Sequence, residues 1–342
     1  TCDSQGTAAI DLETGQQHDS TAEDLRRGLL FADALDQIEI VNVMVAATDV
    51  PAHLRTIRHL ALAFTQTSKH VRTGVLHAAE VPFIVDMVQA AGADLSSSGD
   101  AFQPIFSVVD CTISPLMHDG PMTEACIELA KLAVPIMVYP MPLAGGTSPV
   151  TLGGTILLHN VEFLSGLVLY QVVNAGTPVI YGTGASQLDM QTGHFGGSAD
   201  GHGLRLALCD LARFYHLPVN LWGLSTSSQH LDALYGHEAT VYCLLAHLAG
   251  IDEVYSMGLL GNAQILSLEK MVLDNHLARQ IATMTRPVVV DDEHLQADLI
   301  ERVGIGGHYL GQRETRAFTR GEYVPVWPPA DSSLLDMIHQ EA

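Results

Sequence analysis

Lysine is nearly missing from this chain: 342 residues contain only Lys69, Lys131 and Lys270. Basic residues together number 16 against 38 acidic ones, a formal charge of −22. Such a surface repels phosphate backbones and anionic lipid, so neither a nucleic-acid nor a membrane partner is expected. Cysteine is sparse too. Cys2, Cys111, Cys126, Cys209 and Cys243 are odd in number and never form a CxxC pair. That spacing argues against a disulfide framework and a zinc site, and for a reducing compartment. No HExxH occurs, and no metal is expected. The longest apolar stretch, Thr155 to Val173, is interrupted by His159, Asn160 and Glu162, which disfavours a bilayer span. No basic-then-apolar leader is visible, and a cytoplasmic location is expected. With Thr1 where an initiator Met would stand, the chain reads as a piece of a longer one.

What is present suits a large core, since 47% of the residues are hydrophobic. From Ala8 to Gln17 the chain reads as a hairpin with Thr14-Gly15 at its turn, and Ser20 with Glu23 predicts a capped helix from Thr21 to about Leu35. A regular alternation follows. β-type runs fall at Ile38 to Ala46, Val71 to Leu76, Pro104 to Val109, Val134 to Tyr139, Pro178 to Tyr181, Val219 to Leu224 and Glu253 to Ser256. Between them lie helical patterns at Pro51 to Thr65, Val81 to Ala91, Met122 to Leu132, Thr151 to Asn174, Ala199 to His216, Asp232 to Ala249 and Ser267 to Met284. Strand then helix, repeated in this way, specifies an α/β fold with a parallel sheet, and so many units favour closure into a TIM (β/α)8-type barrel. Arg286 to Val290 is the remaining candidate for the eighth strand. The expected organisation is a single domain: an N-terminal hairpin and helix over 1–37, the barrel over 38–290, and a glycine-rich tail over 291–342 that packs on the barrel.

The working face of such a barrel is the C-terminal end of its strands. His77 and Glu80 follow the second run, Asp110 and Cys111 the third, and Tyr139 the fourth. Tyr181, Asp189 and His194 follow the fifth, Ser225 to Gln229 with Asp232 the sixth, and Met257 to Asn262 the seventh. This ring holds no lysine, which argues against a Schiff-base aldolase. Gly182-Thr183-Gly184 lacks the GK[ST] of a phosphate loop. After the fourth run, Gly145 and Gly146 precede Thr147 and Ser148 and then an apolar helix, so backbone N–H groups could meet a ligand there. Each candidate also has a bland reading. Glycine pairs serve turn geometry, Asp189 and Asp232 suit helix caps, His77 and His308 suit structural hydrogen bonds, the two tyrosines suit a core rim, and Cys111 suits an inert thiol. An acidic, aromatic-edged, glycine-lined site favours a cationic or neutral substrate.

Residues Pro140 to Gly182, PMPLAGGTSPVTLGGTILLHNVEFLSGLVLYQVVNAGTPVIYG, resemble the trimethylamine methyltransferase family. The resemblance continues through Asp189 to Gly193, Ala212 to Tyr215 with Leu217-Pro218, Val303-Gly304 with Gly306 to Leu310, and Asp11 to Gly15 near the start. It implies a barrel methyltransferase that moves a methyl group from a methylated amine to the Co(I) centre of a separate cobalamin-binding corrinoid protein. No cofactor is then held tightly by this chain. Founding members carry pyrrolysine, and none stands here. The segment Gly223 to Glu238 is similar to a family region often bearing Asp and Lys where this chain has Ser227 and Gln229. That departure favours a pyrrolysine-free enzyme of the glycine-betaine type, acting on a quaternary amine, over one specific for trimethylamine.

The candidate substrate site comprises His77, Glu80, Asp110, Tyr139, Tyr181, Asp189, Asp232, Glu238 and His308. Gly145, Gly146, Thr147 and Ser148 would face the corrinoid, and the catalytic residue is left open near Ser227 and Gln229. A homo-oligomer is expected. Two other readings stay open: a cobamide-independent lyase or hydrolase on a small cationic metabolite with Asp110 or Asp189 as base, and a non-catalytic assembly subunit joined through the Thr151 to Asn174 helix.

Overall fold

A computed structural model describes residues 1, 6–93, 104–195 and 199–321. Seven parallel strands form its centre: β1 (Ile40–Asn42), β2 (His70–Gly74), β3 (Phe106–Asp110), β4 (Ile136–Val138), β5 (Val179–Gly182), β6 (Val219–Trp222) and β7 (Glu253–Tyr255). They stand side by side in sequence order. Every connection is therefore a helical crossover to the adjacent strand. The helices are α1 (Ala22–Ala34), α2 (Arg55–Gln66), α3 (Val81–Ala90), α4 (Gly120–Ala130), α5 (Leu152–Val173), α6 (Ala199–Phe214), α7 (Ala233–Leu248) and α8 (Leu268–Met284). The expected alternation is borne out, with ends shifted by a few residues.

The sheet curls. Arg72 on β2 and Glu253 on β7 stand five places apart in strand order, yet Nη1 of one lies 2.6 Å from Oε1 of the other. At about 4.8 Å per strand a flat sheet would hold those backbones about 24 Å apart, beyond the reach of two side chains. The edges also approach each other. Gly6 makes a parallel bridge to Val45 beyond β1, while Thr1 donates to the Val254 carbonyl on β7 and accepts from the Met257 amide just beyond it. Five residues span at most about 18 Å. Residues of the N-terminal segment thus meet both edges of the barrel.

Arg286 to Val290, the sequence candidate for an eighth strand, forms none: Val288, Val289 and Val290 are exposed. Parallel pairing needs a neighbour in register, and Arg286 to Val290 pairs with no strand among the described residues. The hairpin is present, Ala8–Ile10 pairing antiparallel with Gln17–Asp19 around Gly15 at φ 68°. Its second strand leads into α1, whose cap is Thr21 rather than Ser20. Asp24 closes the capping box with Thr21, while the Ser20 hydroxyl is buried and donates to the Ala46 carbonyl. The first strand of the hairpin pairs parallel with Ile265–Leu266, tying it to the loop after β7. In the C-terminal tail, α9 (Asp292–Leu295), α10 (Ala297–Val303) and α11 (Arg313–Gly321) are short. Residues from 322 onward lie outside the described residues.

Alternation along each strand separates two environments. Outward residues such as Val71, Val108, Ile136, Val138, Val179 and Val219 pack under the helices in the main core. Inward residues fill the barrel. Register places Asn42, Arg72 and Ser107 level with one another, Val109 level with Met137 and Ile180, and Trp222 level with Tyr255.

Candidate active site

A cavity of about 290 Å³ opens at the C-terminal end of the strands. Strand ends supply Asn42, Gly74, Val109, Met137, Trp222 and Tyr255, and the loops beyond them supply Cys111, Tyr139, Met141, Phe195 and Asn262. Four aromatic rings form one wall. The centroids of Tyr139 and Tyr255 are 6.0 Å apart, those of Trp222 and Tyr255 5.6 Å, and those of Phe195 and Trp222 6.4 Å, with the two tyrosine contacts edge-to-face. Among the described residues, no carboxylate lines this cavity.

The surroundings hold the wall in place. Gly182 and Gly184 on and after β5 carry no side chain because the Tyr139 ring lies over them; a Cβ on either would overlap that ring and the backbone of Val138 or Pro140. Behind Trp222, the buried guanidinium of Arg205 sits 4.6 Å from the ring centroid. It donates to the Ala185 carbonyl at 3.0 Å and to the Ser186 hydroxyl at 3.1 Å, and burial lowers its pKa to about 10. Trp222 Nε1 and the Tyr255 hydroxyl are buried with no hydrogen-bond partner among the described residues. An unmet buried donor costs about 1–3 kcal/mol, an arrangement found at sites more than in plain cores.

Below this wall is the Arg72–Glu253 pair, and Arg72 Nη1 also approaches Met137 Sδ at 3.7 Å. Burial pushes the Glu253 carboxyl up, but the Arg72 charge and hydrogen bond, with a further donor from Asn220, outweigh it and hold the pKa below the ordinary value. The floor is therefore an ion pair that sums to zero.

The structure gathers only some of the sequence candidates. Tyr139 lines the cavity, as do Cys111 and Asn262. Asp110 and Tyr181 point the other way, into the layer between sheet and helices. Asp110 accepts from the Tyr170 hydroxyl at 2.6 Å, and its burial raises its pKa. Tyr181 stacks on Phe163 of α5 at 4.0 Å and bonds Asn160. The parity of the strand decides this, because Val109 and Cys111 are inward and Asp110 between them is outward. Asp189 folds its own loop by accepting from the Gln191 amide and the Thr192 hydroxyl. Asp232 caps α7. His77 is exposed and Glu80 half-buried in the turn after β2, and His308 is exposed in the tail.

Glu238 is buried and holds the loop after β6, accepting from the Thr226 hydroxyl, the Ser227 amide and the Ser227 hydroxyl. That loop reaches the cavity at second hand. Ser228 and Thr226 accept the amides of Gly261 and Asn262, and the Asn262 side chain donates to the Phe195 carbonyl. Gly145 to Ser148 form a closed turn in which three amides converge on the Leu143 carbonyl, with Met190 and Leu188 packed where side chains on the two glycines would go. Trp222, Tyr255 and Phe195 were not among the sequence candidates. Inward parity from Asn220 to Trp222 and from Glu253 to Tyr255 was the available signal for two of them, and Phe195 lies on a loop that carries none.

A family model described as trimethylamine methyltransferase matches residues 6–325. The chain belongs to the trimethylamine methyltransferase family. It is 31% identical over 318 residues to the trimethylamine methyltransferase MttB of Desulfitobacterium hafniense, covering 92% of this chain and 64% of that one. Against MttB of Methanosarcina thermophila it is 32% identical, covering 87% and 62%. A glycine betaine methyltransferase of Desulfitobacterium hafniense is 29% identical, covering 91% and 66%. This family member thus spans just under two thirds of the length of the curated relatives it matches. Among solved structures, dihydropteroate synthase from Xanthomonas albilineans is similar at a TM-score of 0.46 and 15% identity, covering 83% of this chain and 93% of that one. The synthase from Thermus thermophilus has a TM-score of 0.42 and 12% identity, covering 81% and 92%.

Proposed function

We propose that this chain forms the substrate barrel of a methyltransferase that takes a methyl group from a small methylated amine and delivers it to the cobalt of a separate corrinoid protein. One observation carries the reading: the cavity at the catalytic end of the barrel is walled by Tyr139, Trp222, Tyr255 and Phe195, and no carboxylate lines it among the described residues. Aromatic faces attract a quaternary ammonium through their π electrons without competing for its charge through an ion pair. A carboxylate close by would anchor the cation but would also be a rival acceptor for the methyl group. The volume suits a small ligand.

The corrin, when its carrier protein docks, supplies the Co(I) nucleophile. This chain's own task is then to orient the ammonium with one methyl toward the mouth and to exclude water. A quaternary nitrogen has no lone pair, so no proton need be moved, and the lack of a carboxylate or imidazole in the lining among the described residues is consistent with the chemistry. Gly145 to Ser148, on a loop following β4, would face the docked carrier, and the Glu238-braced Ser227 loop would form the adjoining rim. A quaternary amine of the glycine-betaine type fits the absence of pyrrolysine better than trimethylamine, whose nitrogen needs an electrophilic partner. A homologue named for glycine betaine agrees with that choice.

The test is purified full-length protein with its reduced corrinoid protein and a panel of betaines, carnitine, choline and trimethylamine, followed by methyl-cobalt absorbance. Formation with a quaternary amine is expected. Silence across the panel, with the corrinoid shown to be reducible and methylatable, sinks the proposal. Turnover of a cationic metabolite with no cobamide present would replace it with the lyase or hydrolase reading.

A further inference from the structure

Beyond β7 the chain makes a short antiparallel hairpin, Leu259–Leu260 with Ile265–Leu266. Its tip is held in an uncommon conformation. Gly261, Asn262 and Ala263 follow one another in the left-handed region, at φ 58°, 55° and 66°. Glycine adopts that region freely and asparagine tolerates it, but an alanine stays there only where its surroundings impose it. Those surroundings clamp the turn from three sides. The amides of Gly261 and Asn262 donate to the Ser228 and Thr226 carbonyls, and Asn262 Nδ2 donates to the Phe195 carbonyl at 2.9 Å. The Gly6 backbone lies so close that a Cβ on it would overlap the Gln264 carbonyl.

The clamped tip brings neutral amides into the candidate active site. Asn262, Ala263 and Gln264 line the cavity, and so does Asn42 of β1. Asn262 commits its amino group to Phe195, and Asn42 Oδ1 accepts from the Val43 amide. The Gln264 side chain differs. It is exposed, and among the described residues its carboxamide has no hydrogen-bond partner. A free donor therefore stands in a cavity whose other wall is aromatic.

Charge narrows the ligand that donor can serve. A protein of formal charge −22 attracts every cation, so discrimination among methylated ammonium compounds has to come from contacts inside the cavity. A simple cation finds no counter-charge there: no carboxylate lines the cavity among the described residues, and the Arg72–Glu253 floor sums to zero. Behind Trp222, the buried Arg205 guanidinium donates to the neutral oxygens of Ala185 and Ser186, and no carboxylate pairs with it among the described residues. A ligand with positive charge alone adds to that unpaired cation. A ligand that carries its own carboxylate offsets both. We propose that Gln264 determines the substrate class: its carboxamide N–H donates to the carboxylate of a zwitterionic methylated ammonium compound whose ammonium end lies on the aromatic wall. A neutral donor suits the task, because a lysine or arginine there would repel the ammonium and an aspartate or glutamate would repel the tail. The clamped turn supplies the rigid support that a selective contact needs. The inference rests on the methylated-amine reading and adds to it the residue that selects betaines over choline-like cations.

Calorimetry of the full chain against glycine betaine, choline and tetramethylammonium, with no corrinoid protein present, tests it. Choline carries a hydroxyl where glycine betaine carries a carboxylate. The wild type is expected to bind glycine betaine about ten-fold or more tighter than choline, the worth of a hydrogen bond to a charged group. Gln264→Leu is expected to weaken glycine betaine by about the same factor and to leave tetramethylammonium unchanged, bringing the betaine-to-choline ratio near one. Gln264→Glu is expected to invert the preference, with both simple cations gaining and the betaine losing. The side chain is exposed, so both variants are expected to fold, and circular dichroism checks that they do. A wild type that binds choline as tightly as glycine betaine or tighter overturns the proposal. So does a ratio unmoved in both variants. If tetramethylammonium still binds in those cases, the methylated-amine reading stands without this inference; failure of all three ligands to bind overturns both.

Discussion

Arg72 and Glu253 meet at 2.6 Å across the barrel although five strand positions separate them. Their contact is sufficient to show that the sheet is curled. It also sets the floor on which the aromatic cavity rests.

Replacing one partner strands the other. Arg72→Met is expected to destabilise the protein by about 3–5 kcal/mol, because Glu253 is left buried without its cation. Adding Glu253→Gln should restore much of the loss. Urea titrations of both variants test this. Since the folded-state pKa of Glu253 is depressed, the pair's contribution is present above the ordinary carboxylate range and is lost as pH falls through the depressed value. The difference between wild-type and double-variant stability should therefore shrink in acid.

The aromatic wall should carry ligand affinity. Trp222→Ala or Tyr139→Ala is expected to weaken tetramethylammonium binding by about ten-fold or more, each removing a cation–π face worth about 1–2 kcal/mol in a desolvated site. Asp189→Asn should leave affinity unchanged, because that carboxylate folds its own loop. Asp110→Asn should do the same from behind the sheet. Calorimetry distinguishes the sets, and affinity lost through Asp189 with the tyrosine and tryptophan variants silent would refute the wall.

Acid should unfold the protein through buried neutral imidazoles. His59 accepts from the Ala47 amide, and burial lowers its pKa to about 4; burial lowers His159 and His202 to about 3. Unfolded histidine titrates near 6.5, so each of these groups binds a proton more readily in the unfolded chain below that value. Stability is expected to fall as pH drops from about 6.5 toward 3. His59→Gln, which keeps an acceptor, should flatten part of that slope in pH-dependent melting.

Glu238 should act on the loop and not on the barrel. Glu238→Leu leaves the Ser227 amide and the Thr226 hydroxyl without their acceptor, an expected cost of about 1–3 kcal/mol. Hydrogen exchange at Ser227 should quicken while amides of β4 stay protected. Uniform loss of protection would show a global role instead.

The repeat of strand and helix was legible because two hydrophobic periods, 2 and 3.6, are written directly in residue spacing. The family resemblance rested on local blocks such as MPLAGGTSPVTL and was equally legible. The eighth strand was misplaced because a valine run promises a strand only where a pairing partner exists.

The amino-acid sequence alone determined the fold class, and it offered Tyr139 as one candidate among several at the strand ends. Only the tertiary structure decided which side chains share a space. Asp110 and Cys111 are neighbours in sequence, yet one faces the helices and the other the cavity. Trp222, Tyr255 and Phe195 join Tyr139 from three separate segments because barrel closure brings distant strand ends together. No sequence window spans that distance, since the cause is the curl of a sheet and the parity of its strands.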